Sequence, residues 1–258
     1  NRITMEITFI GTGSGKTSLE RFHTSLLIRE YNHNLLIDCG DGISRALLSA
    51  KVHVNSINSI LISHTHADHF SGITSLLTQM KIEERTEPLN IFIHSSFSEF
   101  LEKFINVSFL FRETIRFELN IIGYLLDEPF KIDRDFEILP KQNSHIQNKD
   151  NLTNYNWLEF VSSSFLIRNN SLNIFYSADI GSKNDLFLFD EFSMDYMITE
   201  ATHIDFNEIA DAANIINPKK CYLVHINDEE SLRNNIAKLT EKDKSKLQLT
   251  YDGMNISL

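Results

Sequence analysis

The sequence contains few cysteines and no long apolar run. Its two cysteines, Cys39 and Cys221, are too few for a disulfide framework and favour a reducing compartment. No apolar run approaches the length that crosses a bilayer, and no secretory leader pattern opens the sequence. We therefore predict a cytoplasmic protein without membrane contact.

Positive charge is also scarce. The sequence has 24 Lys and Arg against 35 Asp and Glu, a net charge of −11 at pH 7. Long nucleic acids bind mainly through Lys and Arg, so no long nucleic acid is expected as a partner. A small anion held by metal ions remains compatible with this charge. A length of 258 residues with 42% hydrophobic residues predicts one large domain over residues 1–258.

Strand and helix patterns alternate through both halves of the chain, which predicts an α/β protein. Strand patterns lie near residues 4–10, 25–29, 34–38, 59–63, 89–94, 160–168, 172–177, 194–199, 220–224 and 247–251. Helical patterns lie near residues 43–50, 72–84, 97–104, 184–189, 206–215 and 229–239.

Four metal-binding side chains occupy six consecutive positions, His64-Thr65-His66-Ala67-Asp68-His69. They follow the strand-like run 59–63, so they lie on a turn that leaves a strand. Buried imidazoles and carboxylates need partners, and imidazole nitrogen with carboxylate oxygen suits a divalent ion such as zinc. The pattern therefore predicts part of a metal site.

Three further ligand-type residues each follow a strand-like run. They are His145 after 136–139, Asp179 after 174–177 and His225 after 221–224. A lone strand-end His or Asp is more often structural, but the repetition of the pattern predicts one cleft where strands end.

With these positions the sequence resembles the metallo-β-lactamase superfamily, and specifically its ribonuclease Z-like branch. The flanking segments 9–15, 35–42 and 251–254 carry the same resemblance. That branch includes phosphodiesterases that act on small cyclic phosphates. The resemblance implies a four-layer αββα sandwich, classed as α/β or as α+β in some schemes.

The resemblance also implies a ligand set for two divalent ions, zinc or alternatively manganese. His64, His66 and His145 would hold one ion, Asp68, His69 and His225 the other, and Asp179 would bridge them. Asp38 or Asp41 would hold a ligand imidazole through its second ring nitrogen.

Catalytic roles follow from the same resemblance. A hydroxide shared by the ions would attack phosphorus, and Asp68 would orient it. His203 would be the general acid for the departing alkoxide, and Glu200 would steer its imidazole or simply be a solvated charge. By position alone, His203 is equally well a polar residue near a helix start.

The glycine-rich segment 11–17 is similar to a phosphate-binding P-loop, but its spacing lacks the required first glycine. In the resembled branch this turn lines the metal cleft, so its backbone amides would face a phosphate.

The substrate is predicted to be small. Transfer-RNA-processing members of the branch carry a long arm before the bridging Asp, whereas here the connection from His145 to Asp179 leaves only 146–156 as loop. Thr17 and Phe22 stand where the branch has Pro and Asn. The sequence resembles anti-Pycsar proteins, which are phage and bacterial enzymes that destroy cyclic pyrimidine signals and lack the arm. We therefore predict hydrolysis of 3′,5′-cyclic mononucleotides, in the host cytoplasm if a phage encodes the protein.

Three alternatives stay open: a tRNA 3′-processing endonuclease, a carbonyl hydrolase acting on lactones, thioesters or β-lactams, and a metal-free relative. The last would be expected to lack ligands, and here every ligand position is filled.

Aromatic residues outside the motifs allow more than one interpretation. Phe22, Tyr155 and Trp157 would stack on a base or simply pack beneath a loop. The apolar segment 97–136 would be a homodimer interface, a lid or core. We predict a homodimer.

Overall fold

A computed structural model of the protein describes residues 5–134, 136–147 and 153–258. The chain divides into two compact units, Asn1–Leu125 with Thr250–Leu258, and Leu126–Leu249. In the described residues each unit contains one seven-stranded sheet of mixed strand direction. The expectation of a single domain over 1–258 stays a prediction.

The sheet of the first unit combines antiparallel and parallel pairs. Its strands are β1 (Glu6–Gly11), β2 (Ser25–Glu30), β3 (His33–Ile37), β4 (Ser59–Leu61), β5 (Leu89–His94), β6 (Leu119–Tyr124) and β14 (Asn255–Ser257). Their order is β14-β1-β2-β3-β4-β5-β6, and the pairs from β3 to β6 are parallel. Parallel pairing places the carboxyl ends of β3 and β4 at the same edge of the sheet.

Helices of the first unit pack through apolar stripes. They are α1 (Ile43–Ser49), α2 (Ala67–Phe70), α3 (Ile73–Ile82) and α4 (Ser98–Val107), with 3₁₀ turns at Val54–Ser56 and Ser95–Phe97. Helix α3 buries Ile73, Leu76, Leu77 and Met80, the spacing of one face of an α-helix.

The second unit has the sheet order β13-β12-β11-β10-β9-β8-β7. Its strands are β7 (Phe130–Asp133), β8 (Phe136–Gln142), β9 (Ser163–Arg168), β10 (Asn173–Tyr176), β11 (Tyr196–Glu200), β12 (Lys220–Val224) and β13 (Leu247–Leu249). The pairs from β10 to β13 are parallel. Four consecutive residues of β12 are buried, as expected for a parallel strand covered on both faces.

The helices of the second unit are α5 (Phe206–Ile216), α6 (Glu229–Lys238) and α7 (Glu241–Lys246), with 3₁₀ turns at Thr153–Tyr155 and Lys183–Phe187. Asp205 caps the start of α5 by accepting from the Asn207 N–H. Asn217 ends α5 in the left-handed region at φ 56°. Leu166, Phe175 and Ile209 belong to one buried apolar cluster of this unit. Among the described residues no helix is both long and apolar enough to span a membrane.

Most predicted elements are present, and their ends differ from the predictions by a few residues. Segment 184–189 was expected to be helical and instead forms the 3₁₀ turn Lys183–Phe187. Strands β6, β7 and β14 were not predicted, and β14 is only three residues long and pairs with β1 at the other end of the sequence. The stretch 238–246 was expected to be a solvated helix end, and the structure forms the separate helix α7 there. Helix α7 buries no residue and therefore shows no apolar periodicity of its own.

The residues of the apolar segment 97–136 differ in burial. Phe97, Phe117 and Phe136 are buried core residues, whereas Val107 and Phe109 are 71% and 75% exposed. The core interpretation therefore describes part of this segment, and its exposed residues need another explanation.

Candidate functional site

In the first unit, Asp38 and the segment His64–His69 lie at neighbouring strand ends. Asp38 follows β3 and Ser63 follows β4, which pair in parallel. Asp38 is fully buried, and its Oδ1 accepts from the Ser63 N–H at 2.8 Å. Its Oδ2 accepts from Ser63 Oγ at 2.9 Å and lies 2.8 Å from Nδ1 of His69. Asp38, rather than the exposed Asp41, therefore holds a predicted ligand imidazole.

This contact determines which nitrogen of His69 is available. A proton on Nδ1, donated to Asp38, leaves the lone pair of Nε2 for a metal ion. The His69 carbonyl accepts from the Cys39 N–H at 2.7 Å, so the turn after β3 also holds the backbone of the ligand segment. Burial and then the Asp38 charge raise the pKa of the Cys39 thiol far above its usual range, so this neighbour stays a neutral thiol near pH 7.

The other predicted ligands of this unit gather around His69. Nε2 of His64 lies 3.1 Å from Nδ1 of His66. An oxygen of Asp68 lies 3.3 Å from Nε2 of His69. A Cβ added to Gly15 would lie 2.9 Å from the Asp68 carboxylate, so the glycine-rich turn approaches this side chain closely.

In the second unit, His145, Asp179 and His225 meet through the ends of β8, β10 and β12. Asp179 and His225 are each 2% exposed, and His145 is partly buried. Oδ2 of Asp179 lies 3.2 Å from Nε2 of His225 and 3.7 Å from Nε2 of His145. Ala178, two residues after β10, and His225, directly after β12, both adopt positive φ, 50° and 54°. The backbone therefore turns sharply where Asp179 and His225 lie.

Glu200, at the end of β11, holds His203. Its Oε2 accepts from the N–H groups of Thr202 and His203 at 2.7 and 2.8 Å. Its Oε1 lies 3.2 Å from Nδ1 of His203. Glu200 is fully buried, whereas the His203 side chain is 38% exposed. With its Nδ1 proton donated to Glu200, His203 would exchange a second proton through Nε2.

His203 also lies beside two of the predicted ligands. Its ring centroid is 4.8 Å from that of His145 and 5.2 Å from that of His225. Ligand atoms of His145, Asp179 and His203 all lie within 4.8 Å of one another. The neighbours of His203 therefore allow two roles, general acid or metal ligand.

Asp185 was not predicted and contacts the turns that carry His145 and Asp179. Its Oδ2 accepts from Ser144 Oγ at 2.6 Å and from the Gly181 N–H at 3.0 Å. The residue follows Asp179 by a few positions in a polar stretch that resembles an ordinary helix start, so its sequence offered no signal.

The donor chemistry of both units fits divalent metal ions. Each unit presents imidazole nitrogens beside a carboxylate, the donors that zinc favours. The assignment of particular residues to two shared ions stays a prediction, as do the catalytic roles of Asp68, His203 and Glu200. Tyr155 and Trp157 are exposed and Phe22 is partly buried, and their stacking role also stays a prediction.

Comparison with known proteins identifies the family of the chain. The model of the family described as "Anti-Pycsar protein Apyc1" matches residues 5–245. A ribonuclease Z of Aeropyrum pernix is 34% identical over 119 residues, which cover 46% of this chain and 37% of that protein. The chain spans between 33% and 41% of the length of such curated relatives.

Solved structures are similar over nearly the whole chain. The metallo-β-lactamase fold protein YhfI of Bacillus subtilis has a TM-score of 0.75 at 20% identity, covering 98% of this chain and 99% of that one. Human tRNase Z, short form, has a TM-score of 0.73 at 20% identity, covering 97% and 98%. These structures confirm the predicted metallo-β-lactamase fold, and the family match with the ribonuclease Z relatives confirms the ribonuclease Z-like branch.

Proposed function

The chain belongs to the anti-Pycsar Apyc1 family, and from that premise we propose that it is a metal-dependent phosphodiesterase that hydrolyses 3′,5′-cyclic mononucleotides to nucleoside monophosphates. Similarity to ribonuclease Z proteins supports phosphodiester chemistry. The net charge of −11 favours a small anion over a long nucleic acid.

Two divalent ions, zinc or alternatively manganese, are the proposed cofactors. The proposed ligands are His64, His66, Asp68, His69, His145, Asp179 and His225. When bound, such ions supply Lewis acidity toward a phosphoryl oxygen and lower the pKa of water. The contact between Asp38 and His69 supports this set, because metal-binding histidines usually donate their second ring nitrogen to a carboxylate or carbonyl.

The observation that carries the proposed reaction is the pairing of His203 with Glu200. One buried carboxylate contacts the backbone N–H groups of Thr202 and His203 and Nδ1 of His203. The His203 imidazole remains partly exposed beside His145 and His225. An exposed imidazole held in this way can donate a proton from Nε2 to a departing oxygen. Attack on a lactam or thioester carbonyl would not need this acid for a sugar alkoxide.

The proposed reaction consumes one water. The oxygen of water forms a bond to phosphorus, and one ester P–O bond of the ring breaks. The electron pair of that bond goes to the departing sugar oxygen, which takes the proton of His203. The proton released by the attacking water restores His203 through solvent. Asp68 orients the attacking water, and the product is a nucleoside monophosphate.

The first test is a substrate panel: cAMP, cGMP, cCMP and cUMP beside bis-p-nitrophenyl phosphate, nitrocefin and a precursor tRNA, with and without chelator. Chelator-sensitive opening of cyclic mononucleotides is the expected result. Turnover of nitrocefin alone would support the carbonyl hydrolase, and cleavage of the precursor tRNA alone would support the endonuclease. Either result would contradict the proposal.

A second test separates the two possible roles of His203. We expect His203→Ala to retain its zinc content and to lose about 10²- to 10⁴-fold in kcat, the usual contribution of a general acid. His53→Ala is the control, because His53 is an exposed histidine outside the proposed ligand and catalytic set. Loss of bound zinc in His203→Ala would instead identify a ligand, and unchanged turnover would remove His203 from the reaction.

We also propose that the protein is a cytoplasmic homodimer. Two buried free thiols suit a reducing compartment. Exposed apolar residues of α4 and the following turn, including Phe100, Val107 and Phe109, support a self-association surface. Light scattering should give twice the chain mass, and Val107→Glu should shift it toward the monomer. A monomeric wild-type protein would contradict this proposal.

A further inference from the structure

We propose that Asp185 is a positioning residue that holds the turns carrying His145 and Asp179 in the geometry needed for metal binding. The inference rests on the proposed function only in taking His145 and Asp179 as ligands. Asp185 follows the turn after β10 and lies in the 3₁₀ turn Lys183–Phe187.

One oxygen of Asp185 collects four donors. Oδ2 accepts from Ser144 Oγ at 2.6 Å and from the Ser144 N–H at 3.1 Å. It also accepts from the N–H groups of Gly181 and Ser182 at 3.0 and 3.2 Å. The donors come from two separate segments of the second unit, so the carboxylate joins those segments.

Both segments carry a proposed ligand. Ser144 immediately precedes His145, and Gly181 comes two residues after Asp179. The segments are also in backbone contact, because a Cβ added to Gly181 would lie 2.2 Å from the Ser144 carbonyl oxygen. A shift of either turn therefore changes the separation of Asp179 from His145, which is now 3.7 Å between Oδ2 and Nε2.

The helix-capping role of Asp185 does not account for these contacts. The residue forms a capping box with Ser182, which requires bonds only within its own segment. The two bonds to Ser144 reach a different strand end and add nothing to the 3₁₀ turn. Asp185 is also 6% exposed, and a buried carboxylate is costly unless several donors stabilise it. The free-energy cost of burying this carboxylate is explained if Asp185 fixes the position of His145.

The experiment compares Asp185→Asn with Asp195→Asn in the full chain. Asp195 is a suitable control because it also joins two segments of the same sheet, accepting from the Asn173 N–H at 3.0 Å and contacting Lys219 at 2.8 Å. Asn173 begins β10 and Asp179 follows its end, so the control contact lies at the opposite end of this strand. Zinc affinity is measured by competition with a fluorescent chelator, and Tm is measured with and without zinc.

Asp185→Asn should weaken zinc binding by about tenfold and reduce the rise in Tm that zinc produces, as loss of a residue supporting metal ligands commonly does. Asp195→Asn should lower Tm equally with and without zinc and leave the affinity unchanged. Zinc affinity of Asp185→Asn equal to that of the wild type would overturn the proposal, even if its Tm falls.

The outcome is distinguishable from failure of the proposed function. A wild-type protein that hydrolyses no cyclic nucleotide, together with weaker zinc binding by Asp185→Asn, contradicts the activity and supports the positioning role. If Asp185→Asn does not fold, Ser144→Ala removes the 2.6 Å bond to Asp185 together with the 3.3 Å bond of the same hydroxyl to Ser182 Oγ, and it keeps the Asp185 carboxylate. Unchanged zinc affinity in that variant also overturns the proposal.

Discussion

Replacing Asp38 with asparagine should weaken metal binding and lower stability, although the two side chains have nearly the same shape. The Asp38 carboxylate has no exposed surface and contacts the Ser63 N–H, Ser63 Oγ and Nδ1 of His69. An asparagine that keeps its oxygen toward the Ser63 N–H places an NH₂ group against His69. That NH₂ is a donor and faces the proton on Nδ1.

The magnitude follows from this single exchange. Loss of a hydrogen bond to a charged group costs about 1.5–3 kcal/mol of unfolding free energy. His69 relieves the clash by moving its proton to Nε2, which removes the lone pair that would bind the ion. Removal of a carboxylate partner of a ligand histidine usually weakens metal binding about 10- to 100-fold.

Urea denaturation in the presence of a chelator measures the change in unfolding free energy. Competition for zinc with a fluorescent chelator measures the change in zinc affinity. Asp41→Asn is the matched control, because Asp41 lies in the same turn and is exposed. That variant should behave as the wild type in both assays. Equal zinc affinities for Asp38→Asn, Asp41→Asn and the wild type would refute the argument about the His69 proton.

Three further predictions concern other parts of the chain. Gly15→Ala should reduce kcat/KM for a cyclic nucleotide about 10- to 100-fold, because its Cβ would lie 2.9 Å from the Asp68 carboxylate and would displace it. Thr17→Ala is the control, and equal activities of the two variants would contradict the reasoning. Asn217→Ala should lower the unfolding free energy by about 1 kcal/mol, because this residue ends α5 in the left-handed region at φ 56°, where alanine is strained and glycine is not. Asn217→Gly should therefore be as stable as the wild type, and equal stabilities of the two variants by calorimetry would contradict this reasoning. Burial raises the pKa of Cys221 from its ordinary value of 9.0 to about 12, so above pH 9 the unfolded chain releases a proton that the folded chain keeps. Between pH 9 and about pH 12, this thiol should therefore lower the unfolding free energy by about 1.4 kcal/mol per pH unit. Cys221→Ala should lose stability less steeply with rising pH in urea denaturation, and a slope identical to that of the wild type would count against a buried neutral thiol.

Local sequence patterns were sufficient to predict the proposed ligands. His64, His145, Asp179 and His225 each follow an apolar strand run, and in the structure each lies at a strand end. Helix α3 was equally predictable, because its buried residues repeat with helical spacing. In these cases the relevant information lies within a few consecutive residues, so burial on one side and polarity at the end can be read directly.

The pairing of segments distant in sequence determined which carboxylates contact the proposed ligands and the turns that carry them. Asp38 and Asp41 were equivalent candidates until parallel pairing of β3 with β4 placed Asp38 beside Ser63 and His69. Asp185 was not predicted, and only the approach of Ser144 and Gly181 made it a shared acceptor. A hydrogen bond depends on two atoms within about 3 Å, and sequence separation carries no such distance. The residue types that can bind a metal were therefore determined by the sequence alone, whereas the carboxylates that orient them were selected only when the sheets formed.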